Sequence, residues 1–535
     1  MNRRHFLQLS AAAGAYAAAG AVAAGADDAR PANNVAYAWH SASIDELRAA
    51  IQSGKATAAA VTDYFLQRVE AIDRTGPAIN SVIELNPDAA AIAKELDGRP
   101  KDDKSRPGPL HGVPVFVKDN LDTHDKMMTT AGSLALLGSV APRDSTVVQK
   151  LREAGAVLLG KTNLSEWANF RSSNSTSGWS GRGGLTKNPY ALDRNPSGSS
   201  SGSAAAVAAG LCAGAIGTET NGSIISPSAV CGVVGIKPTV GLVSRAGIIP
   251  ISATQDTAGP IARSVRDVAA LLGAIAGTDE RDPATAHADE KGERDFTKYL
   301  DADGLKGARI GVPRRLFRGN GHSREVIDKA LEALKSAGAT LVDPADVAGV
   351  NNLGGASYEI MLYEFKAGLN AYFQSLLERA PVRSLEELIR FNEQNAAKEL
   401  KHFGQDVLLL AQAKGPLTET AYTDALEKCK RLSRAEGIDA VMDEHKLDAL
   451  VAPAGGPAGV TDLVYGDRDV GGSSTPAAVA GYPNITVPAG AVRGLPVGIS
   501  FFGRAWSEPT LLRIAYAFEQ LTKARKPPEF LPTIG

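Results

Sequence analysis

Two kinds of hydrophobic pattern alternate along the chain. Short continuous apolar runs at residues 113–117, 156–159 and 212–217 are typical of strands buried on both faces of a sheet. Between these runs, apolar residues recur every three or four positions, which predicts helices with one buried face. The alternation of the two patterns predicts an α/β fold in which one mixed sheet lies between helical layers.

Capping signals mark the first two helices. Ser43 and Glu46 form a capping box before apolar residues at helical spacing, and Gly54 ends that helix. Thr57 caps the next helix. Further along, the pattern predicts mostly helical structure over residues 281–470, which we interpret as a variable cap over the core. The predicted helices there cover 326–336, 360–378, 385–402 and 422–445, with strands at 308–312 and 449–452.

The first 26 residues differ in character from the rest. They begin with Arg3 and Arg4, continue through a weakly apolar stretch of alanine and glycine, and end on small residues before Asp27. This pattern resembles a twin-arginine export signal with a cleavage site. Alanine and glycine insert poorly into a bilayer, so a stable membrane anchor is the less favoured alternative. The sequence predicts a periplasmic or secreted protein whose mature domain covers residues 27–535.

Composition excludes several classes of protein. A hydrophobic fraction of 44% and a charged fraction of 22% indicate a folded globular chain. The net charge of −2, with no long basic run, gives no reason to expect nucleic-acid binding. The histidines and the three cysteines lack metal-ligand spacing, so we predict neither a metal nor another cofactor, and no disulfide framework. Cys212 and Cys231 lie in apolar runs and are interpreted as buried thiols, although the sequence leaves their pairing open.

One segment imitates a nucleotide-binding motif. Residues from Gly155 to Thr162 fit the letters of a P-loop, G-x-x-x-x-G-K-T. In a true P-loop the strand precedes the first glycine, whereas here the intervening residues 156–159 are themselves the strand. We therefore predict no phosphate site.

A run rich in glycine and serine occupies residues 197–203. Its composition also suits a flexible linker, but a helix-forming run at 204–209 and the predicted strand at 212–217 follow directly, and linkers do not lead straight into buried elements. Glycine allows positive φ and lets N–H and hydroxyl groups approach a small ligand closely. We interpret this run as part of a reaction centre.

A second polar turn, residues 220–223, follows that strand and precedes another apolar run. Pro227 is tolerated in a first helical turn, so Ser223 is predicted to lie at a helix N-terminus. There the unpaired N–H groups of the turn, beside the positive end of the helix dipole, could hold an oxyanion. A serine that only caps the helix would occupy the same position, and the turn alone does not decide between the two interpretations.

Three motifs together resemble the amidase-signature family, whose members hydrolyse carboxamides with a Ser–cis-Ser–Lys triad. The similarity is densest over residues 105–280 and returns at 477–503, and it implies the fold of that family. The motifs are Gly-Ser-Ser-Ser-Gly-Ser-Ala-Ala-Ala-Val from Gly198, Gly-Thr-Glu-Thr-Asn-Gly-Ser-Ile from Gly217, and Gly-Val-Val-Gly-Ile-Lys-Pro-Thr from Gly232.

The resemblance implies a role for each matching residue. Ser223 follows Ser199 by the family's interval of 24 residues, which implies that Ser223 is the nucleophile and that Ser199 is the bridging serine after a cis peptide bond. Lys118, in Val-Lys-Asp-Asn, matches the catalytic lysine. The backbone N–H groups of Thr220, Asn221, Gly222 and Ser223 would form the oxyanion hole, with Gly198, Ser200 and Gly202 in support.

The residues permit one consistent chemistry. No histidine lies in the serine motifs, so a neutral lysine would have to accept the proton from the serine. A lysine at the end of a strand often only reaches solvent, but burial can lower its pKa by roughly 3 to 5 units, which brings the neutral amine within reach at working pH. This chain departs from the commoner sequence of the family at two positions. One is Asn221, and the other is Ile225, where many members have an arginine.

The sequence of the whole chain is most similar to those of bacterial peptide amidases. We therefore predict an exported enzyme that removes the C-terminal amide nitrogen of peptides as ammonia. A broader aliphatic or aryl amidase is the main alternative. A non-catalytic binding protein is disfavoured by the complete Lys-Ser-Ser set, and a component of a tRNA-dependent amidotransferase by the export signal. The sequence does not give the oligomeric state.

Overall fold

An eleven-stranded mixed sheet forms the core of the protein. The computed structural model describes residues 39–99, 108–317, 321–376, 380–468 and 472–535, which belong to one compact unit, Trp39–Gly535. The strand order is β1-β3-β2-β6-β8-β7-β12-β13-β11-β9-β10. The strands are β1 (Val82–Leu85), β2 (Pro114–Lys118), β3 (Val157–Thr162), β6 (Gly214–Glu219), β7 (Val234–Lys237), β8 (Thr257–Ala262), β9 (Arg309–Gly311), β10 (Thr340–Val342), β11 (Ala449–Gly455), β12 (Asn484–Val492) and β13 (Leu495–Phe502), and a separate two-stranded hairpin comprises β4 (Trp179–Ser180) and β5 (Gly184–Leu185).

Parallel pairing determines which strand ends meet. Strand β2 lies between β3 and β6 and runs parallel to both. The carboxyl ends of these three strands therefore lie at the same edge of the sheet. The pairs β6–β8 and β7–β8 are antiparallel, as are both pairs that β12 makes with its neighbours.

Seventeen α-helices accompany the sheet in the described residues. Helices α5 and α6 contact each other and the sheet, whereas α7, α9 and α17 form another group of contacting helices that also pack on strands. The helices are α1 (Ile44–Gln52), α2 (Ala58–Arg68), α3 (Ala89–Asp97), α4 (Thr146–Glu153), α5 (Ser201–Ala208), α6 (Ile225–Val230), α7 (Val265–Ile275), α8 (Ala288–Lys291), α9 (Gly321–Ser336), α10 (Leu353–Ser375), α11 (Leu385–Gln394), α12 (Ala396–Glu399), α13 (Asp406–Gln412), α14 (Thr420–Lys430), α15 (Asp439–His445), α16 (Ser474–Ala480) and α17 (Glu508–Thr522).

The mixed α/β fold predicted from the hydrophobic pattern is confirmed, and so are its first capping signals. The Ser43 side chain accepts from the N–H of Glu46 while the Glu46 carboxylate accepts from the N–H of Ser43, which completes the capping box. The Thr57 side chain likewise caps α2. The strand predicted at 212–217 begins two residues later, because Gly214 is the residue that pairs with Val115 of β2.

Two of the predicted long helices are interrupted. The helix predicted over 385–402 breaks at Asn395, whose side-chain amide donates to the carbonyl of Phe391 (2.9 Å) and competes with the helical hydrogen bonds. The helix predicted over 422–445 contains a π-helical segment, Arg431–Ile438. Gly437 lies within it, where a β-carbon would be 2.3 Å from the carbonyl oxygen of Leu432, so only glycine fits.

Residues 281–470 contribute to both the sheet and the helices. Strands β9, β10 and β11 extend the main sheet at one edge. Helices α10, α11 and α13 instead share an apolar cluster with residues 131–136 and 167–170, which follow β2 and β3 in the chain. The helices of this region therefore cover the edge of the sheet at which β2 and β3 end.

Several other predictions concern buried or terminal residues. Cys212 and Cys231 are buried free thiols, so neither belongs to a disulfide. Burial raises the pKa of Cys212 to about 12. Lys161 of the P-loop-like segment lies within β3, where its ammonium donates to the carbonyl of Leu121 (2.6 Å) and to Thr129 Oγ1 (2.9 Å). The predicted export signal, residues 1–26, lies outside the described residues. No helix of the described part of the chain has the length and hydropathy to cross a membrane.

Candidate active site

Two strand ends bring the predicted lysine to the reaction centre. Lys118 is the last residue of β2, and Glu219 is the last residue of β6, its parallel neighbour. The turn with Ser223 continues from β6, and α5, which begins directly after Ser200, precedes that strand. Residues that are 100 positions apart in the chain, such as Lys118 and Thr218, thus meet at one edge of the sheet.

The Lys118 ammonium is fully buried among oxygen atoms. Its Nζ lies 2.7 Å from Ser199 Oγ, 2.8 Å from Thr218 Oγ1 and 3.4 Å from the Thr218 carbonyl oxygen. Burial lowers the pKa of Lys118 to about 7, although the carboxylates of Asp256 and Glu219 oppose this shift. A neutral amine is therefore available near pH 7, and it can accept a proton from Ser199.

The peptide bond between Gly198 and Ser199 is cis, as the family resemblance implies. The Ser199 carbonyl accepts from the N–H of Ser165 (3.1 Å), which holds this part of the chain. Ser200 supports the arrangement from the other side: its hydroxyl donates to the Thr218 carbonyl (3.0 Å), and its N–H donates to the Ser223 carbonyl (3.1 Å). Ser200 thereby connects the two serine motifs.

Both glycines of the first serine motif are closely packed. A β-carbon on Gly198 would lie 2.2 Å from Ser165 Oγ. At Gly202 it would lie 2.3 Å from the carbonyl oxygen of Ser81 and 2.5 Å from that of Asn163. Since the neighbours of Gly202 are backbone atoms, no side-chain rotation relieves that contact.

We expect Gly202→Ala to destabilise the protein by about 1 to 3 kcal/mol, the usual cost of overpacking a core. Gly355→Ala is the matched control, because Gly355 also lies in a helix but has no atom within 4 Å of the added methyl group. Urea unfolding of both variants measures the difference. Equal stability of the two would show that the backbone around Gly202 adjusts freely.

The turn after β6 exposes a set of backbone donors. Gly222 adopts a φ of 86°, which favours glycine, and the chain then reaches Ser223. No described residue accepts a hydrogen bond from the N–H groups of Asn221, Gly222 or Ser223, or hydrogen-bonds to the Ser223 hydroxyl. Such adjacent unpaired N–H groups can hold a developing oxyanion.

Ser223 does not cap α6. The Ncap position belongs to Ile224, and the Glu219 carboxylate accepts from the N–H groups of Ile224 (2.7 Å) and Ile225 (3.0 Å). The interpretation of Ser223 as a simple capping residue is therefore wrong, because Glu219 satisfies the first donors of this helix. This leaves the Ser223 hydroxyl available for chemistry.

A cavity of about 430 Å³ opens onto these groups. Ser223 borders it and is 9% exposed. Apolar side chains cover part of its wall, and none of its described lining residues is a histidine, lysine or arginine. The described lining comprises Ala168, Asn169, Phe170, Ser177, Ser197, Gly198, Thr220, Asn221, Gly222, Ser223, Ile225, Ser226, Ile251, Met361, Ala454, Asp467, Gly472 and Ser474.

Both residues that differ from the common family sequence, Asn221 and Ile225, lie beside the cavity and have defined contacts. The side-chain oxygen Oδ1 of Asn221 accepts from Ser474 Oγ (2.7 Å), at the start of α16. Ile225 is fully buried, packs in a small apolar cluster with Ala229 and Ala454, and borders the cavity. The wall of the cavity is therefore apolar at the position where a family arginine would place a positive charge.

Comparison with known proteins identifies the family. A family model described as Amidase matches residues 60–512. The chain belongs to the amidase family. It is 45% identical to a probable amidase of Arabidopsis thaliana over 504 residues, which cover 92% of this chain and 93% of that protein.

Two further amidase-family relatives add detail. The native peptide amidase of Stenotrophomonas maltophilia, a solved structure, superposes with a TM-score of 0.87 at 51% identity, covering 92% of this chain and 99% of that one. A glutamyl-tRNA(Gln) amidotransferase component from Halorhodospira halophila is 34% identical over 91% of this chain and 98% of its own length. The amidase-signature fold predicted from the motifs is thus confirmed.

Three residues near Lys118 were missing from the site predicted by sequence. Thr218 contacts the ammonium directly, and Glu219 and Asp256 act on its charge. The Asp256 carboxylate accepts from Thr220 Oγ1 (2.5 Å) and from the N–H of Ile251 (2.7 Å). Thr218 and Glu219 lie inside the second serine motif, so their position in that motif could have identified them. Asp256 comes from the loop before β8, and no motif indicated it.

We expect Asp256→Asn to shift the acid limb of kcat/KM to lower pH. The negative charge of Asp256 raises the pKa of Lys118, so its removal lowers that pKa and leaves the lysine neutral in more acidic solution. Burial raises the pKa of Asp256 itself to about 6, so its charge is present over most of the relevant range. A pH profile of amide hydrolysis measures the shift, and an upward shift would contradict this electrostatic account.

Proposed function

We propose that this amidase-family hydrolase removes the C-terminal amide nitrogen of peptides, giving the free acid and ammonia. The observation that carries the proposal is the contact of 2.7 Å between the buried Lys118 Nζ and Ser199 Oγ. Ser223, which borders the cavity, is tied to the same motif because its carbonyl accepts from the N–H of Ser200 (3.1 Å). The similarity to a peptide amidase at 51% identity supports the choice of substrate.

The residues suggest the sequence of proton transfers. Neutral Lys118 accepts the Ser199 proton, and Ser199 accepts the proton of Ser223 as the Ser223 oxygen attacks the amide carbon. The tetrahedral oxyanion is held by the N–H groups of residues 220–223. The proton then returns through Ser199 to the leaving nitrogen, ammonia departs, and water hydrolyses the ester on Ser223.

The charge of the cavity suits a neutral peptide terminus. Its described lining holds no cation that could pair with a substrate carboxylate, and Ile225 presents an apolar surface. The only charged side chain in that lining, Asp467, is negative and repels a carboxylate. A peptide amide therefore binds better than the acid formed from it, which favours product release.

A panel of amides tests the proposed substrate class. We expect blocked dipeptide amides to release ammonia with a higher kcat/KM than acetamide, benzamide or glutamine. Efficient turnover of acetamide or benzamide with peptide amides untouched would instead identify a broader amidase. Preference for glutamine would indicate the activity of an amidotransferase component.

We also propose that the protein is exported to the periplasm or secreted. The support is the twin-arginine pattern of residues 1–26, in which Arg3 and Arg4 precede a weakly apolar stretch. Fractionation of cells that express the full chain tests this, with replacement of both arginines by lysine as the comparison. Equal amounts in the cytoplasm for the two proteins would contradict export.

A further inference from the structure

The segment Asp462–Arg468, here called the rim loop, lies at the edge of the Ser223 cavity. Asp467 borders the cavity, and its Oδ1 accepts from the N–H of Ser177 (2.9 Å) and from the side-chain amide of Asn195 (3.0 Å). These two contacts fix the carboxylate on residues adjacent to the first serine motif. Gly198 confirms the proximity, because a β-carbon added there would lie 3.0 Å from Ser177 Oγ.

One oxygen of this carboxylate, Oδ2, has no partner among the described residues. Both hydrogen bonds go to Oδ1, and no described residue hydrogen-bonds or forms an ion pair with Asp467 Oδ2. The residue is exposed at the mouth of the cavity, although partial burial of the carboxyl raises its pKa against the hydrogen bonds from Ser177 and Asn195, which lower it. Oδ2 is therefore available to a ligand, and a cationic group such as an ammonium forms a charge-assisted hydrogen bond with a carboxylate, which is roughly twice as strong as a neutral one.

The nearest basic residue in the chain does not line this cavity. Arg468 follows Asp467 and borders a smaller cavity of about 30 Å³, which Asp467 also borders. The N–H groups of Tyr465 and Val464 lower the pKa of Asp462, and the charge of Arg468 adds to this shift. Among the described lining residues of the Ser223 cavity, Asp467 alone carries a charge.

The rim loop also carries apolar surface next to this charge. Val464 is 78% exposed and Tyr465 is 84% exposed, and their N–H groups both donate to Asp462 Oδ1 (2.9 Å each), which holds the turn that presents them. An exposed aromatic ring beside a free carboxylate suits a peptide, which offers both apolar side chains and amino groups.

We infer that Asp467 is a specificity-determining residue that binds an ammonium group on the acyl part of the substrate. This inference rests on the proposed function and names the preferred substrates: peptide amides that carry a positive charge near the cleaved amide. The ammonium can belong to a lysine side chain or to a free peptide N-terminus. Both sources offer the same chemistry to Oδ2.

A matched substrate series tests the inference. Acetyl-X-Leu-NH₂ is prepared with X as lysine, norleucine or glutamate, together with unacetylated norleucyl-Leu-NH₂, which places the charge on the N-terminus instead. For the wild-type protein we expect kcat/KM to be about two- to fivefold higher with lysine than with norleucine, the range of an exposed ion pair, and lowest with glutamate. A rate for unacetylated norleucyl-Leu-NH₂ above its acetylated form assigns the site to the N-terminus.

Two variants separate direct pairing from the general field of the loop. Asp467→Asn retains an oxygen for Ser177 and Asn195, and we expect its ratio of lysine to norleucine rates to fall close to one. Asp462→Asn removes the same charge from the same loop outside the cavity lining, and we expect it to keep the wild-type ratio. If both variants changed the ratio equally, or neither did, pairing with Asp467 would be refuted.

The wild-type protein alone provides a second measurement in case Asp467→Asn folds poorly. Salt screens exposed ion pairs, so the preference for a charged substrate must weaken between low and high ionic strength. A preference that is absent at low salt overturns the inference. The experiment distinguishes failure of the inference from failure of the proposed function. Cleavage of acetyl-norleucyl-Leu-NH₂ without any charge preference refutes only the role of Asp467. If no peptide amide is cleaved, the proposed function is refuted.

Discussion

Replacing Ser223 with alanine is expected to abolish amide hydrolysis, with kcat falling by roughly 10⁴-fold or more, as in other enzymes that lose their nucleophile. The physical reason is that Ser223 belongs to the turn whose N–H groups have no acceptor among the described residues and borders the cavity. Its carbonyl accepts from the N–H of Ser200 (3.1 Å), the residue after Ser199. Because no described residue hydrogen-bonds to the Ser223 hydroxyl, the substitution should change the free energy of unfolding by less than about 0.5 kcal/mol. Ammonia release and urea unfolding measure the two effects.

Ser226→Ala is the matched control for Ser223→Ala. Ser226 borders the same cavity, but its hydroxyl pairs with Ser197 Oγ (2.8 Å) and is thus engaged elsewhere. We expect this variant to retain activity within an order of magnitude. Loss of activity in Ser226→Ala together with wild-type turnover in Ser223→Ala would reverse the assignment.

Replacing Lys118 with methionine is expected to lower kcat/KM by about 10³-fold, within the range for loss of a general base. Methionine retains most of the buried volume, so the change removes the amine rather than creating a large cavity. The lost partners are Ser199 Oγ and Thr218 Oγ1, which lie 2.7 Å and 2.8 Å from Nζ. Steady-state kinetics with a blocked dipeptide amide measure the loss.

The pH profile distinguishes a catalytic lysine from a structural one. Burial lowers the pKa of Lys118 to about 7, and the neutral amine is the form that accepts a proton. Wild-type kcat/KM should therefore fall as the pH decreases through about 7, since Lys118 becomes charged. The residual activity of Lys118→Met should lack this limb. An unchanged limb in the variant would assign the titration to another group.

The local hydrophobic pattern was enough to predict the strand that positions the lysine of the candidate active site. The apolar run before Lys118 indicated a buried strand, and the structure places this lysine at its last position. The prediction of the strand succeeded because it depends on residues adjacent in the chain. The glycines of the serine motifs were expected to allow positive φ, which Gly222 adopts, whereas Gly198 and Gly202 do not and instead permit close packing.

Features that depend on distant contacts could not be predicted in this way. Asp256 influences Lys118 from the loop that precedes β8, and no periodicity indicates which carboxylate lies near a buried lysine. A local contact was also missed: Glu219, rather than Ser223, satisfies the first donors of α6, since its carboxylate accepts from the N–H of Ile224, five residues later in the chain. A capping preference alone favours serine at that turn.

Helix continuity posed a similar difficulty over residues 385–402. The apolar spacing there continues through Asn395, yet the side chain of this residue bonds to the carbonyl of Phe391 and ends α11. The following helix, α12, contains Glu399, whose carboxylate accepts from the N–H of Leu134 (2.6 Å). After the break, α12 thus makes a polar contact with a residue 265 positions earlier, which the hydrophobic pattern does not show.

Mass spectrometry of the products of a single peptide amide tests the central claim most directly. A blocked tripeptide amide is incubated with the protein in ¹⁸O-labelled water, and both the peptide products and ammonia are measured. The account predicts one product, the intact peptide as its free acid with one heavy oxygen in the new carboxylate, and one ammonia for each peptide cleaved. Shorter fragments from internal peptide bonds, or intact amide after complete turnover of a simple amide such as benzamide, would contradict it.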